Sequence, residues 1–149
     1  MSVSRSSCPR APNSDARPRL FWLAAAAAFS TFAAGARADW PSTPADFALL
    51  PPYCKCKLQQ AVCKQGSPED KMWESRIGNG YGHFHHYCAA LHTLNLANRE
   101  MDVSKKRYHY KQAINEINYV LQHTKPPFPR AGELTAKKAS IQMRLDMMQ

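Results

Sequence analysis

The chain has 149 residues, with 20 Lys and Arg against 11 Asp and Glu, a formal net charge of +9. That length holds one domain and little else. Much of the charge sits in the first 38 residues, where Arg5, Arg10, Arg17, Arg19 and Arg37 face only Asp15. Without that stretch 15 basic and 10 acidic residues remain, an ordinary solubilising excess of +5. The remaining cations are dispersed, Lys105-Lys106-Arg107 being the one tight cluster, so no nucleic-acid partner is expected.

Residues 1–38 have the order of a cleavable secretory signal: a basic leader, an uncharged apolar run over 20–34, then Ala36-Arg37-Ala38. Cleavage is expected after Ala38, which leaves 111 residues beginning at Asp39. The apolar run is shorter than the ~20 residues a spanning helix needs, and no later stretch reaches that length. The expected location is the periplasm or the exterior, with no stable membrane span after cleavage. Cys8 precedes the apolar run, so lipidation at a cysteine following it is not expected.

Four cysteines remain in the mature chain, Cys54, Cys56, Cys63 and Cys88. An even count in a small exported domain points to disulfides. Three pairings are possible. Cys54 and Cys56 are too close along the chain to pair easily with each other, and Cys54–Cys88 with Cys56–Cys63 is the preferred set. A domain of this size buries about 65% of its unfolded surface, so such bridges matter to its stability.

In chain order, residues 39–84 form a Pro- and Gly-rich region of short helices. Ser42 or Thr43 caps a helix through Leu50, and Pro51-Pro52 ends it. A helical turn is expected over 58–63. Ser67-Pro68-Glu69-Asp70 opens a second helix through Ile77. Gly78, Gly80 and Gly82 then mark a turn, with Tyr81 and Phe84 expected to pin it to the core. No Lys-Ser/Thr pair and no preceding strand accompany these glycines, so this is not a phosphate loop.

Residues 85–149 read as a helical hairpin plus a C-terminal helix. Tyr87, Leu91, Leu94, Ala97 and Met101 repeat at helical spacing, as do Tyr110, Ala113, Ile114, Ile117, Val120 and Leu121. Leu134, Lys138, Ile141, Leu145 and Met148 mark a third stripe, the lysine stem lying along it. No period-two run of useful length occurs, so the expected fold is all-α.

Ala113, Ile117, Val120 and the following proline resemble the second helix of a tetratricopeptide unit, and Ile77-Gly78-Asn79-Gly80-Tyr81 resembles the Leu-Gly-x-x-Tyr stretch of that family. Together with Tyr53-Cys54 and His85-His86-Tyr87-Cys88, the chain resembles small exported bacterial proteins of tetratricopeptide-like type. The resemblance implies stacked helical hairpins, protein–protein interaction and no catalytic residue; another envelope protein is the expected partner, and no cofactor is expected. Tyr81, Phe84 and Tyr87 are candidate partner-binding residues, as is the groove between helices.

The segment 82–88 concentrates histidines beside a cysteine. With a helix starting at His85, His85, Cys88 and His92 fall at i, i+3 and i+7, and His83 and His86 lie close by. Imidazole and thiolate are ligands for zinc and copper, so His83, His85, His86, Cys88 and His92 are candidate metal ligands, and metal binding or delivery is the alternative function. An oxidised domain would instead spend Cys88 in a disulfide and leave His85 and His86 to cap the helix start. A Cys88–His nucleophile oriented by Asn95 or Asn98 lacks a complete set of roles, so no catalytic residue is expected. Met143, Met147 and Met148 are expected in a frayed terminal helix.

Overall fold

Helix begins where a side chain satisfies the first free backbone N–H groups, and the sequence after residue 40 supplies such caps repeatedly. The computed structural model describes residues 40–59 and 61–148, so the proposed signal and its cleavage point lie outside the described residues. Thr43 caps α1, Pro44–Ala48: its hydroxyl accepts from the Asp46 N–H at 3.2 Å, and the Asp46 carboxylate accepts from the Thr43 N–H at 3.0 Å. Hydrogen bonds from Thr43 first, and then Ser42, hold the Asp46 carboxyl down at about 2.

Pro51-Pro52 stops α1 and also starts α2, Pro52–Leu58, because a proline at the first helical position gives up an N–H that has no partner there anyway. The helical turn expected over 58–63 is displaced to this earlier position, and residues 61–63 are turn and bend. Ser67 caps α3, Pro68–Ile77, by accepting from the Asp70 N–H at 3.2 Å. Gly78 ends α3 at φ +75°, a left-handed conformation that favours glycine.

Residues 78–83 form a 3-10 turn, so the stretch resembling Leu-Gly-x-x-Tyr is a helix end and a turn. Three long helices follow: α4, Phe84–Arg99; α5, Val103–His123; and α6, Ala131–Asp146. Asp102 caps α5 by accepting from the Lys105 N–H at 2.8 Å. The link of residues 100–102 between α4 and α5 is too short for anything but an antiparallel hairpin. α4 packs along α5, α5 packs against α6, and α2 lies on α4. No strand occurs among the described residues, so the chain is all-helical there.

The three apolar stripes meet in one core. Tyr87 and Ala97 of α4, Tyr110, Ala113, Ile117 and Val120 of α5, and Leu134, Ile141 and Leu145 of α6 are all buried. Residues from the N-terminal half join the same cluster, among them Leu50, Cys54 and Ile77. Met101 is the exception: it is 90% exposed, because α4 ends at Arg99 and the chain has turned away before reaching it.

Two disulfides fasten the short helices. Cys54 of α2 is bonded to Cys88 of α4, and Cys56 to Cys63, the pairing preferred from chain separation. The Cα atoms of the first pair are 5.4 Å apart and those of the second 4.6 Å. Among the described residues no helix is long and apolar enough to cross a membrane.

Candidate functional site

The Gly-rich turn is shaped by close packing. A Cβ at Gly80 would lie within 3.0 Å of three ring atoms of Phe128, so only glycine leaves that ring its place. The turn thereby drives Tyr81 inward. Its hydroxyl donates to the Asp70 carboxylate, which also accepts from the Gly66 N–H at 2.8 Å. The Lys57 ammonium sits 3.9 Å from the centre of the Tyr81 ring. The Tyr81 hydrogen bond, followed by that from Gly66, lowers the Asp70 carboxyl, while burial and the facing carboxylate raise the Tyr81 phenol. These groups border a cavity of about 440 Å³ against the Cys56–Cys63 bridge, in which Lys57 and Lys71 oppose Asp70 and Glu74.

Tyr81, Phe84 and Tyr87 present almost no surface to a partner, apart from the part of Tyr81 that borders this cavity. All three are buried, and Phe84 packs between Tyr53 and Tyr87, with ring centres 5.4 and 5.1 Å away. Tyr81 and Phe84 stand as the expected pins of the turn and Tyr87 as part of the α4 stripe, and their burial speaks against the expected partner-binding role. Burial raises the Tyr53 phenol to about 12.

The candidate metal ligands separate. Cys88 has its sulfur in the bond to Cys54 and offers no thiolate. His92 is 4% exposed and faces Asp46 of α1, Nδ1 to Oδ1 4.0 Å. Helix geometry explains why His85 does not share an ion with it: seven residues rise about 10 Å along the axis, several times a metal–ligand bond. Among the described residues, the one group of three His, Cys, Asp or Glu ligand atoms already gathered is Cys56, Cys63 and Glu69, and its two sulfurs are bonded to each other.

The remaining histidines join a stack of rings that also draws on residues 40 and 116–123. Trp40 lies on His85 at 5.9 Å, His85 on His86 at 4.3 Å, His86 on Tyr119 at 3.8 Å, and Tyr119 on His123 at 3.9 Å. His83 meets the edge of Tyr119 and the ring of His123, each at 5.8 Å. His86 Nδ1 lies 2.6 Å from the Glu116 carboxylate. Burial, and after it the neighbouring His86, lowers the His85 imidazole from its ordinary 6.5.

A second surface opens on the other side of α4. Leu49, Leu91, Leu94 and Ile141 line a groove of about 260 Å³ between the α1–α2 corner, α4 and α6. Asn95 and Asn98 from α4 and Lys137 and Arg144 from α6 contribute its polar groups, and none of its lining residues is acidic. Arg144 Nη1 donates to Asn98 Oδ1 at 3.3 Å, which holds the guanidinium at the groove. Leu49 is 51% exposed at one end, a large apolar side chain left in water.

No family model, no curated protein and no solved structure matches the chain.

The groove was only partly visible in the sequence. Asn95 and Asn98 stood out as neighbours of Cys88, yet they face the groove with Lys137 and Arg144. The partners of the histidines carried a local sign, since Glu116, Tyr119 and His123 fall at i, i+3 and i+7 on one face of α5. Nothing local to Trp40 marks it as the end of the ring stack.

Proposed function

We propose that the chain is an exported, non-enzymatic interaction module of tetratricopeptide-like type that seats a short acidic segment of another envelope protein in the groove between α4 and α6. The observation that carries this reading is the groove's composition: an apolar floor with two amides, a lysine and an arginine, and no carboxylate among its lining residues. Such a lining complements an extended segment that carries one apolar side chain beside one or two carboxylates. The floor takes the apolar group, Asn95 and Asn98 hydrogen-bond its backbone, and Arg144 offers a planar fork to a carboxylate. The paired disulfides fit a chain that works outside the reducing cytoplasm.

The reading is tested with fluorescent peptides in which an apolar residue is flanked by aspartates or glutamates, added to the mature, oxidised domain. Saturable binding is expected, weakening as salt is raised. Charge reversal of Lys137 and Arg144 together is expected to weaken it at least about tenfold while leaving the unfolding midpoint in place, because both side chains are exposed. Binding that ignores the double reversal, or none below about 1 mM (about 4 kcal/mol), would remove the groove as the partner site.

A further inference from the structure

Two rings that pack 3.8 and 3.9 Å from the centre of one tyrosine ring lie on its opposite faces. Tyr119 therefore separates His86 from His123. His85 and His86 stack against each other on one side of it, while His83 and His123 meet on the other. The two pairs differ in what they can hold. Imidazoles sharing one tetrahedral ion through nitrogen bonds of about 2.0 Å have ring centres about 5–6 Å apart. His83 and His123 are at 5.8 Å and inclined by 50°; His85 and His86, at 4.3 Å, are too tightly stacked.

Tautomer leaves a donor in each pair, since His85 Nδ1 likewise lies 3.0 Å from the Gly82 carbonyl, so the ring-centre distance is what separates them. His123 Nδ1 lies 2.8 Å from the Tyr119 carbonyl, and a carbonyl only accepts, so Nδ1 carries the proton and the Nε2 lone pair is free. A histidine whose Nδ1–H is tied to a carbonyl has the orientation usual in metal ligands. His123 is exposed and His83 half-buried, so an ion there keeps positions open to water or to a ligand from another molecule. All four described cysteines are in disulfides, which leaves the imidazoles as donors; the tetrahedral spacing suits zinc(II), while the general affinity order favours copper(II).

We propose that His83 and His123 form a solvent-facing bis-imidazole site for a divalent copper or zinc ion, bridging the turn before α4 and the end of α5. It differs from the cluster expected from sequence, since it omits Cys88 and His92 and recruits His123. It does not depend on the peptide groove, which lies elsewhere on α4.

The experiment titrates copper(II), and separately zinc(II), into tag-free, oxidised mature protein at neutral pH. One equivalent is expected to bind, with two nitrogen donors in the copper electron paramagnetic resonance spectrum. His83→Ala and His123→Ala are each expected to weaken binding at least about tenfold, whereas His109→Ala and His85→Ala leave it within about twofold. Should a variant fail to fold, the wild-type protein supplies a second readout: substoichiometric copper(II) is expected to broaden the His83 and His123 ring resonances before those of His85 and His109. Loss of binding through His85→Ala alone, broadening that begins at His85, or no saturable binding at 1 mM metal would overturn the site.

Discussion

Replacing Cys54 and Cys88 together with serine is expected to lower the unfolding free energy of the mature domain by about 3–4 kcal/mol. The two residues are 34 apart in sequence, and closing a loop of that length removes about this much freedom from the unfolded chain. The folded state loses as well. Both cysteines are 0% exposed, so each serine places a hydroxyl in the core among Tyr87, Phe84 and Leu50. The bond also ties α2 to α4. Against a total of about 5–15 kcal/mol for a small domain, the loss is large enough to leave part of the population unfolded on warming. The Cys56–Cys63 loop spans only 7 residues, so its double serine variant is expected to lose less, about 2 kcal/mol. Urea unfolding of the three proteins checks both the size and the order. A Cys54/Cys88 loss below about 1 kcal/mol, or a larger effect from the short loop, would contradict the structure.

Phe84→Ala is expected to cost about 3–5 kcal/mol, the range for emptying a fully buried aromatic site. Phe84 opens α4, and its ring fills the space between Tyr53 of α2 and Tyr87 of α4. Removing it leaves a cavity where the N-terminal helices meet the hairpin. A partner-binding role would give the opposite pattern, with stability kept and affinity lost. Urea unfolding alongside peptide affinity, measured where the variant is still folded, separates the two. The structure predicts a lowered midpoint with affinity within about twofold, because the effect acts on folding and not on the groove. Unchanged stability with abolished binding would return Phe84 to the surface.

The parts of the fold legible from sequence are those set by neighbours in the chain. Thr43 and Ser67 announce their helices because a cap acts on N–H groups two or three residues away. The stripe through Tyr110, Ala113, Ile117 and Val120 is legible because each residue repeats one face of one helix. Pro51-Pro52 shows the limit of local reading. The same dipeptide stops one helix and starts the next, and which effect leads depends on Cys54 and Cys56 being held on α4 and beside Cys63. Tyr81 and Phe84 were legible as turn pins, but an aromatic residue beside glycines looks alike whether it enters the core or faces a partner. The groove and the ring stack were least legible. They join residues 49, 91–98 and 137–144, and residues 40, 83–86 and 119–123, across contacts that no local period records.

The proposed export of this helical domain and its two disulfides meet in one observable. The most direct test is the intact mass of the protein isolated from its own host, with any free thiol alkylated before extraction. A chain beginning at Asp39, four hydrogens lighter than its reduced form and carrying no alkyl group, is expected. A chain that retains residues 1–38 and takes up alkyl groups at Cys54, Cys56, Cys63 and Cys88 would contradict that expectation.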